Sequence, residues 1–478
     1  MTHRRIGIRS TGSMESVFSN DTICAIGTPI GEGGIGIVRI SGPKALPIVR
    51  RLFVPSRPNC CFESHRLYHG WLKDPSEDCM VDEVLMSFME APHTYTRQDI
   101  VEINCHSGFG ILKRTLELVL EEGARLAEPG EFTRRAFLSG RIDLSQAEAV
   151  IDIIRSRSEK SLALAGRQLR GDLRHRLESW RESILRFQSE IEAHIDFSDD
   201  LLDDPADPAL LASKLTTDLI DPLSLFASRY AAGRVLREGL KLVLVGKPNV
   251  GKSSLLNALI GKKRAIVTPQ PGTTRDVIED SFILSGILIR VLDTAGIRRE
   301  PDEIESMGIE KALLSVEDAD AVLWLIDQSR PLSDEDDAVF QAVGSSRYVI
   351  LMNKEDLPAS FDEEAIRDRY RVEAPILSLS VLREKDIEKL RGFLTEAFLK
   401  QPLTESESMM IPNLRHKVCF EESIKALNRA RSLLISDGCT ELVSLELGIA
   451  RSQLENILGL QCDDALLDSI FSQFCVGK

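Results

Sequence analysis

A glycine-rich segment near the middle of the chain has residue types suited to binding phosphate. Residues 246–253 read Gly-Lys-Pro-Asn-Val-Gly-Lys-Ser, which matches the pattern G-x-x-x-x-G-K-[ST]. The glycines let backbone N–H groups turn toward phosphate oxygens, Lys252 reaches the β- and γ-phosphates, and the Ser253 hydroxyl ligates Mg²⁺. Considered alone, the segment is also compatible with an ordinary strand–turn–helix.

Three further polar segments follow in the order typical of a guanine-nucleotide switch. They are residues 272–276 (Gly-Thr-Thr-Arg-Asp), 293–296 (Asp-Thr-Ala-Gly) and 353–356 (Asn-Lys-Glu-Asp). Asp293 follows an apolar run and is placed to act on Mg²⁺ from its second coordination sphere. A carboxylate at the third segment accepts hydrogen bonds from guanine N1–H and its exocyclic amine, which adenine does not present, although a charged turn is the alternative for that segment alone. Together the four segments predict a GTP-binding domain.

Two details of this domain bear on hydrolysis. Ile297 stands where Ras-type switches carry the glutamine that orients the attacking water, and an aliphatic side chain cannot do this. Either the domain hydrolyses poorly, or a carboxylate from residues 298–305 takes that role; a solvated acidic loop is the alternative for that stretch. The side-chain oxygen of Asn249 either ligates a monovalent cation in place of an arginine finger or caps a turn.

The apolar pattern divides the chain into regions that position these segments. A length of 478 residues predicts about three domains. We expect a disordered extension at 1–20, an N-terminal α+β domain at 21–140, the first half of an all-α helical domain at 141–237, an inserted α/β Ras-like P-loop G domain at 238–400, and the second helical half at 401–478. The predicted fold class is therefore multidomain.

The first helical half carries one long apolar stripe. Apolar residues recur at three- and four-residue steps from residue 169 to residue 195, which is typical of an amphipathic helix packed in a bundle. Gly166 and Gly171 are the candidate positions for a bend.

Charge and cysteine content limit the classes of function. A net charge of −15 argues against a protein that coats a polyanion along its whole length, so contact with nucleic acid requires a local basic patch or a partner. The nine cysteines include no C-x-x-C pair, and we expect reduced thiols in the cytoplasm. The chain has no run of about 18 apolar residues, so we expect no membrane-spanning segment.

The N-terminal domain has its own polar signals. Residues 31–36 (Gly-Glu-Gly-Gly-Ile-Gly) match G-x-G-x-x-G only loosely and precede a predicted strand, so we reject a dinucleotide site and expect a tight turn. Arg39 and Glu102 fall on predicted strands, and Arg141 follows residues 129–133 (Pro-Gly-Glu-Phe-Thr). These three side chains either line a ligand site or are ordinary surface residues.

The combination of segments resembles the family of the tRNA-modification GTPase MnmE, also called TrmE. The resemblance rests on residues 246–253 and 272–276 inside a helical domain, and on the C-terminal Cys-Val-Gly-Lys at 475–478. Residues 33–42 and 144–149 resemble family segments too. The match covers nearly everything from residue 21 to residue 478.

The resemblance implies a tRNA-modifying activity with a defined set of partners. Members are homodimers that act with the FAD-dependent protein MnmG, which uses FAD and NADH. Together they install an aminomethyl-type group, such as carboxymethylaminomethyl, at C5 of the wobble uridine (U34) of certain tRNAs. The N-terminal domain binds a tetrahydrofolate, as the 5-formyl or methylene derivative, at the dimer interface. GTP hydrolysis is stimulated by K⁺ through pairing of the G domains.

The resemblance also assigns site residues. For GTP these are Asn249, Val250, Gly251, Lys252, Ser253, Ser254, Thr268, Gln270, Thr273, Thr274, Asp293, Thr294, Ala295, Gly296, Asn353, Lys354, Asp356 and Ser380. The K⁺ ligands are Asn249, Thr268, Gln270 and Thr273, and the Mg²⁺ ligands are Ser253 and Thr274. The catalytic candidates are Glu305, Arg298 and Cys475. The folate residues are Arg39, Glu102, Arg141 and Lys478.

One departure from the family pattern affects base recognition. Residues 380–382 read Ser-Val-Leu where Ser-Ala-Lys is common, which puts the contact that backs the guanine base in question. Two other functional classes stay open: a regulatory or ribosome-assembly GTPase switch without modification chemistry, and a folate-dependent methyltransferase that acts without its G domain.

Overall fold

The computed structural model describes residues 21–58, 60–196, 208–261, 280–293, 316, 319–344, 346–399, 412–436 and 439–478, with only the backbone of residues 193–196 and 293. The predicted extension at 1–20 lies outside the described residues. Contacts divide the chain into two compact units, one within Met1–Ile151, Arg167–Ala227 and Leu414–Lys478, the other within Asp152–Gly166 and Ser228–Asn413. Among the described helices, none combines the length and the apolar character needed to cross a membrane.

The N-terminal domain is a seven-stranded sheet with two helices on one face. Its strands are β1 (Ile23–Ile26), β2 (Gly33–Ser41), β3 (Phe53–Pro55), β4 (Arg66–Asp74), β5 (Cys79–Met89), β6 (Ile100–Ser107) and β7 (Arg125–Leu126), and its helices are α1 (Ala45–Leu52) and α2 (Phe109–Glu121). The strand order is β3-β4-β5-β6-β2-β1-β7. Only the β1–β7 pair is parallel. Alternate strand residues such as Val38 and Met86 share one apolar core with Val49 and Leu112 of the helices. The predicted α+β class is confirmed.

The first helical half follows. Helix α3 (Glu131–Leu138) precedes the expected boundary at residue 141. The helices after that boundary are α4 (Leu144–Arg155), α5 (Glu159–Arg170), α6 (Asp172–Asp196), α7 (Pro208–Leu215), α8 (Asp221–Ser228) and α9 (Tyr230–Glu238), with a π-helical turn at Thr216–Ile220 between α7 and α8. The predicted stripe is divided between α5 and α6 at Gly171, whose φ is +95°. Leucine and isoleucine side chains of the stripe, such as Leu177 and Ile184, are fully buried on α6.

The G domain is a six-stranded sheet covered on both faces. Its elements are β8 (Leu240–Val245), α10 (Lys252–Ile260), β9 (Asp280–Leu284), β10 (Ile287–Asp293), β11 (Ala321–Asp327), α11 (Asp334–Val343), β12 (Tyr348–Asn353), α12 (Glu363–Tyr370), β13 (Ile376–Ser378) and α13 (Glu384–Leu394), with a π-helical turn at Thr395–Leu399. The order of the described strands is β13-β12-β11-β8-β10-β9, and among them only β9 is antiparallel to its neighbour.

The two apolar layers of the G domain explain its nearly continuous hydrophobic strands. Leu242 and Leu244 of β8 face a core shared with α10 and α13. Val243 and Val245 of the same strand face a second core that includes Val343 of α11 and residues of α12. A parallel strand buried on both faces has no solvent side, so its sequence does not alternate between apolar and polar residues. This is the predicted Ras-like α/β architecture.

The second helical half consists of α14 (Leu414–Ile435), α15 (Thr440–Leu458) and α16 (Asp464–Phe471). Aromatic contacts tie it to the first half: the Trp180 ring of α6 lies 5.9 Å from Phe420 of α14 and 5.5 Å from Phe226 of α8. Phe471 of α16 lies 6.5 Å from Phe137 of α3. The helical domain is therefore assembled from segments on both sides of the G domain in the sequence.

Candidate functional sites

The phosphate-binding loop connects strand β8 to helix α10 through residues with left-handed backbone. Gly246 has φ +148°, Asn249 +62° and Gly251 +103°. A Cβ atom at Gly246 would lie 2.5 Å from the carbonyl oxygen of Leu325. At Gly251 it would lie 2.5 Å from Nδ2 of Asn353. Side chains at the two glycines are therefore excluded, as the predicted phosphate-binding loop requires.

Lys252 occupies the mouth of this loop. Its Nζ donates hydrogen bonds to the carbonyl oxygens of Gly246, at 2.6 Å, and Lys247, at 3.0 Å. The ammonium group is thus held over the loop, where it can meet the charge of a phosphate at the N-terminus of α10. Ser253 and Ser254 are exposed in the first turn of α10, while Val250 is buried in the domain core.

Asn353 joins the end of strand β12 to the phosphate-binding loop. Its side chain is fully buried. The Nδ2 atom donates to the carbonyl oxygen of Val250 at 2.7 Å, and Oδ1 accepts from the backbone N–H of Val381 at 3.3 Å. One amide therefore links the phosphate-binding loop to the loop at residues 380–382.

Asp356 and Ser380, both predicted to bind the nucleotide, are joined by a hydrogen bond. The Ser380 hydroxyl, which is fully buried, donates to Oδ1 of Asp356 at 2.6 Å. This hydrogen bond lowers the pKa of the Asp356 carboxyl, so the group is ionised and accepts hydrogen bonds at neutral pH. Lys354 has φ +67°, and its Nζ contacts Oδ2 of Asp327 at 2.6 Å, which fixes the start of this loop.

Strand order sets the position of Asp293. It is the last residue of β10 and pairs with Leu244 in parallel register, one residue before the end of β8. Because parallel strands end at the same edge of a sheet, the Asp293 backbone lies at the edge where the phosphate-binding loop begins. The remaining predicted residues of this site lie outside the described residues: Thr268, Gln270, Thr273, Thr274, Thr294, Ala295, Gly296, Arg298 and Glu305.

A second polar site lies in the N-terminal domain. Arg39 of β2 is directly opposite Glu102 of β6, and its Nε donates to Oε1 of Glu102 at 2.8 Å. The two side chains are 20% and 22% exposed, so both are largely buried yet reachable. The Arg39 Nη1 atom also donates to the carbonyl oxygen of Gly477 at 3.0 Å. The C-terminal residues therefore lie against this pair.

Lys478 and Arg141 complete this site. Burial lowers the pKa of the Lys478 amine, and the charge of Arg39 adds to the effect. The Arg141 guanidinium lies 4.8 Å from the centre of the Tyr95 ring. Burial raises the pKa of Tyr95, and the charges of Arg141 and Arg39 both oppose that rise. Arg39 thus contacts Glu102 and the carbonyl of Gly477, which precedes Lys478, and Arg141 stacks on Tyr95.

Cys475 belongs to the same C-terminal segment. Its side chain is exposed, and its carbonyl oxygen accepts hydrogen bonds from the backbone N–H of Gly130, at 3.4 Å, and of Lys478, at 3.3 Å. The backbone of the thiol-bearing residue is therefore fixed beside the N-terminal end of α3.

Sequence reasoning missed three residues of these sites. Asp327 ends strand β11 as Asp293 ends β10, so the rule that site residues follow parallel strands would have found it. Asp386, whose Oδ2 accepts from the Ser380 N–H at 3.0 Å, lies in the first turn of α13, where an acidic residue is common and is therefore a weak signal. Tyr95 had no sequence signal at all.

Comparisons with known proteins bear on both sites. The model of the GTP-binding protein TrmE N-terminus matches residues 22–141, and the model of the MnmE helical domain matches residues 144–475. A tRNA modification GTPase MnmE from Syntrophobacter fumaroxidans is 60% identical over 464 residues, with 96% of this chain and 99% of that protein covered. A protein of the same name from Carboxydothermus hydrogenoformans is 44% identical, with 96% of this chain and 99% of that protein covered. Another from Geotalea uraniireducens is 43% identical, with 97% of this chain and 100% of that protein covered. The chain belongs to the MnmE family of tRNA modification GTPases.

Proposed function

We propose that this chain binds and hydrolyses GTP in order to modify tRNA. With an FAD-dependent partner of the MnmG type, it installs an aminomethyl-type group, such as carboxymethylaminomethyl, at C5 of the wobble uridine (U34) of certain tRNAs. The observation that carries the nucleotide part is the Asp356–Ser380 pair, tied through Asn353 to a loop whose glycines exclude side chains. Family membership carries the tRNA part.

The nucleotide chemistry is divided among several side chains. Lys252 binds the β- and γ-phosphates, while Ser253 and Thr274 hold Mg²⁺, which screens the phosphate charge during hydrolysis. Asn249, Thr268, Gln270 and Thr273 hold K⁺, which supplies positive charge where other GTPases use an arginine finger. Glu305 orients the attacking water, a role that Ile297 cannot perform, and Arg298 assists from the same segment. We propose that this arrangement is completed when two G domains pair.

The N-terminal site suits a reduced folate. A folate presents pterin amines that donate hydrogen bonds and a glutamate tail that is negatively charged. The Glu102 carboxylate matches the amines, and Arg39, Arg141 and Lys478 supply positive charge. We propose that a 5-formyl- or methylene-tetrahydrofolate binds here, at an interface between two copies of the chain, and that Cys475 takes part in the transfer chemistry.

The assembly needed for modification contains more than this chain. We propose a homodimer that joins two copies of the MnmG-type protein in a heterotetramer. The partner binds FAD and uses NADH, and the tRNA is the shared substrate.

The test is a mass-spectrometric measurement of modified nucleosides in tRNA. A deletion strain would carry the intact chain, its Lys252→Ala variant, or Lys385→Ala, which removes an exposed lysine from the same domain. We expect the wobble-uridine modification to return with the intact chain and with Lys385→Ala, and to be absent with Lys252→Ala. Failure of the intact chain to restore it would favour the regulatory or ribosome-assembly switch.

A further inference from the structure

The loop at residues 380–382 is hydrogen-bonded to the first turn of helix α13. Residues 380–382 read Ser-Val-Leu, and Leu382 is 81% exposed. Asp386 is buried in the first turn of α13, and its Oδ2 accepts from the backbone N–H of Ser380 at 3.0 Å. We propose that Asp386 is a positioning residue for guanine recognition, acting on Asp356 through Ser380. This inference rests on the GTP binding proposed above.

Ser380 connects the two carboxylates, one through its backbone N–H and the other through its hydroxyl. Its backbone N–H is taken by Asp386, and its hydroxyl donates to Oδ1 of Asp356 at 2.6 Å. The same hydroxyl oxygen accepts from the backbone N–H of Leu382 at 3.3 Å. Because a hydroxyl has a single proton, these contacts fix its direction toward Asp356. Ser380 is fully buried, so water cannot replace the acceptor that Asp386 provides.

The orientation of Asp356 matters because guanine presents two donors side by side. A carboxylate that accepts from both N1–H and the exocyclic amine must keep its plane aligned with the base, as in other bidentate recognition. Asp356 itself is exposed. An exposed carboxylate rotates freely unless another group holds one of its oxygens, and the hydroxyl of Ser380 is the group that holds Oδ1. Asp386 therefore contributes to base selectivity without contact to the base.

Stabilisation of helix α13 is the competing explanation for an acid at this position. Arg383, at the N-cap of α13, makes no side-chain capping hydrogen bond, and acids in the first turn favour a helix through its dipole. Glu384 lies in the same turn and is exposed. It provides the dipole contribution without reaching Ser380, which makes Glu384→Ala a matched control.

The experiment measures dissociation constants of GDP and inosine diphosphate for the full chain with Mg²⁺. Inosine lacks the exocyclic amine, so the ratio of the two constants reports the second donor that Asp356 accepts. We expect Asp386→Ala to weaken GDP binding about tenfold and inosine diphosphate binding less, so the ratio moves toward one. Asp386→Asn, whose amide oxygen can still accept from Ser380, should restore most of the selectivity.

Other variants keep the inference falsifiable. Asp386→Ser keeps a polar side chain that suits a first helical turn but is too short to reach Ser380, so it should act like Asp386→Ala even if the latter folds poorly. Glu384→Ala should leave the ratio unchanged. An unchanged ratio in Asp386→Ala and Asp386→Ser, with or without an equal loss of both affinities, would overturn the inference. A wild-type chain that binds neither nucleotide would instead overturn the proposed function.

Discussion

The side-chain amide of Asn353, at the end of strand β12, donates to the carbonyl oxygen of Val250 across 2.7 Å and so connects that strand to the predicted phosphate-binding loop. The amide oxygen on the other side accepts from Val381. Both hydrogen bonds are removed from water, because Asn353 is fully buried. The side chain of Asn353 therefore holds both the predicted phosphate-binding loop and the loop at residues 380–382.

Replacement of Asn353 by Asp should disturb both the predicted phosphate-binding loop and the loop at residues 380–382. The carboxylate cannot donate to Val250, and it places an unpaired acceptor against a carbonyl oxygen in a buried position. We expect GDP affinity to fall at least about tenfold, measured with a fluorescent GDP analogue. Asn257→Asp, on the exposed side of α10, is the control, and equal affinities in the two variants would contradict this prediction.

K⁺ should accelerate GTP hydrolysis relative to Na⁺, and Asn249 should be required for the difference. Asn249 has φ +62°, so Asn249→Gly removes the side-chain oxygen without backbone strain. Alanine would remove the oxygen and add backbone strain at the same time. We expect Asn249→Gly to hydrolyse GTP at the same rate in both salts. Asn249→Asp keeps an oxygen ligand and should keep part of the stimulation. Equal wild-type rates of hydrolysis in K⁺ and Na⁺ would contradict the proposed role of K⁺ and of Asn249 as its ligand.

Glu305→Ala should separate hydrolysis from binding. Glu305 lies outside the described residues, and its role rests on the family resemblance. The variant should lose most of its GTP turnover and keep its nucleotide affinity, because a water-orienting group acts mainly in the transition state. Glu335→Ala, an exposed carboxylate of α11, should have normal turnover. A normal rate for Glu305→Ala would end its catalytic assignment.

Arg39→Ala should abolish folate binding to the full chain. The substitution removes a positive charge, leaves Glu102 without its partner and releases the carbonyl of Gly477. Calorimetry with 5-formyl-tetrahydrofolate should therefore give heat for the wild type and none for the variant. Arg51→Ala, which loses only an exposed ion pair with Glu122, should bind normally. Folate binding by Arg39→Ala equal to that of the wild type would contradict the assignment.

Glu148 should make the helical domain sensitive to acid. Its side chain accepts hydrogen bonds from Arg415 at 2.8 Å and contacts Nε2 of the buried His416 at 2.8 Å. Burial opposes ionisation, but the charges of these two partners outweigh it and hold the pKa of Glu148 well below its usual range. Because the folded pKa is depressed, the stabilisation is present above the ordinary glutamate pKa of about 4.3 and is lost as pH falls below it.

Glu148→Gln tests this directly by thermal unfolding at several pH values. At pH 7 we expect the free energy of unfolding to fall by about 3 kcal/mol, because a buried cation loses its counter-charge. The variant should also lose less stability than the wild type as the pH falls from about 5 to 3. Glu422→Gln, which breaks an exposed pair with Lys425 on α14, should match the wild type at every pH. Parallel acid profiles for Glu148→Gln and the wild type would contradict the prediction.

Local patterns predicted the elements that depend on neighbouring residues. The spacing of Gly246, Gly251 and Lys252, taken with the three polar segments that follow it, predicted the phosphate-binding loop, because the loop pattern lies within eight consecutive positions. The predicted apolar stripe was also correct between residues 173 and 191, where its apolar side chains are buried. Sequence alone left two bends possible, at Gly166 and Gly171, and the break occurs at Gly171, where φ is +95°.

Contacts between distant residues required the tertiary structure. Strand register places Arg39 against Glu102, and packing of the C-terminal segment brings Gly477 to the same guanidinium from 438 positions away. The two hydrogen bonds that connect Asp386 through Ser380 to Asp356 likewise depend on how α13 packs beside the sheet. The sequence by itself determined which backbone conformations and which chemical groups were available. The fold decided which groups meet, because that depends on strand order and core packing summed over the whole chain and on no single stretch of it.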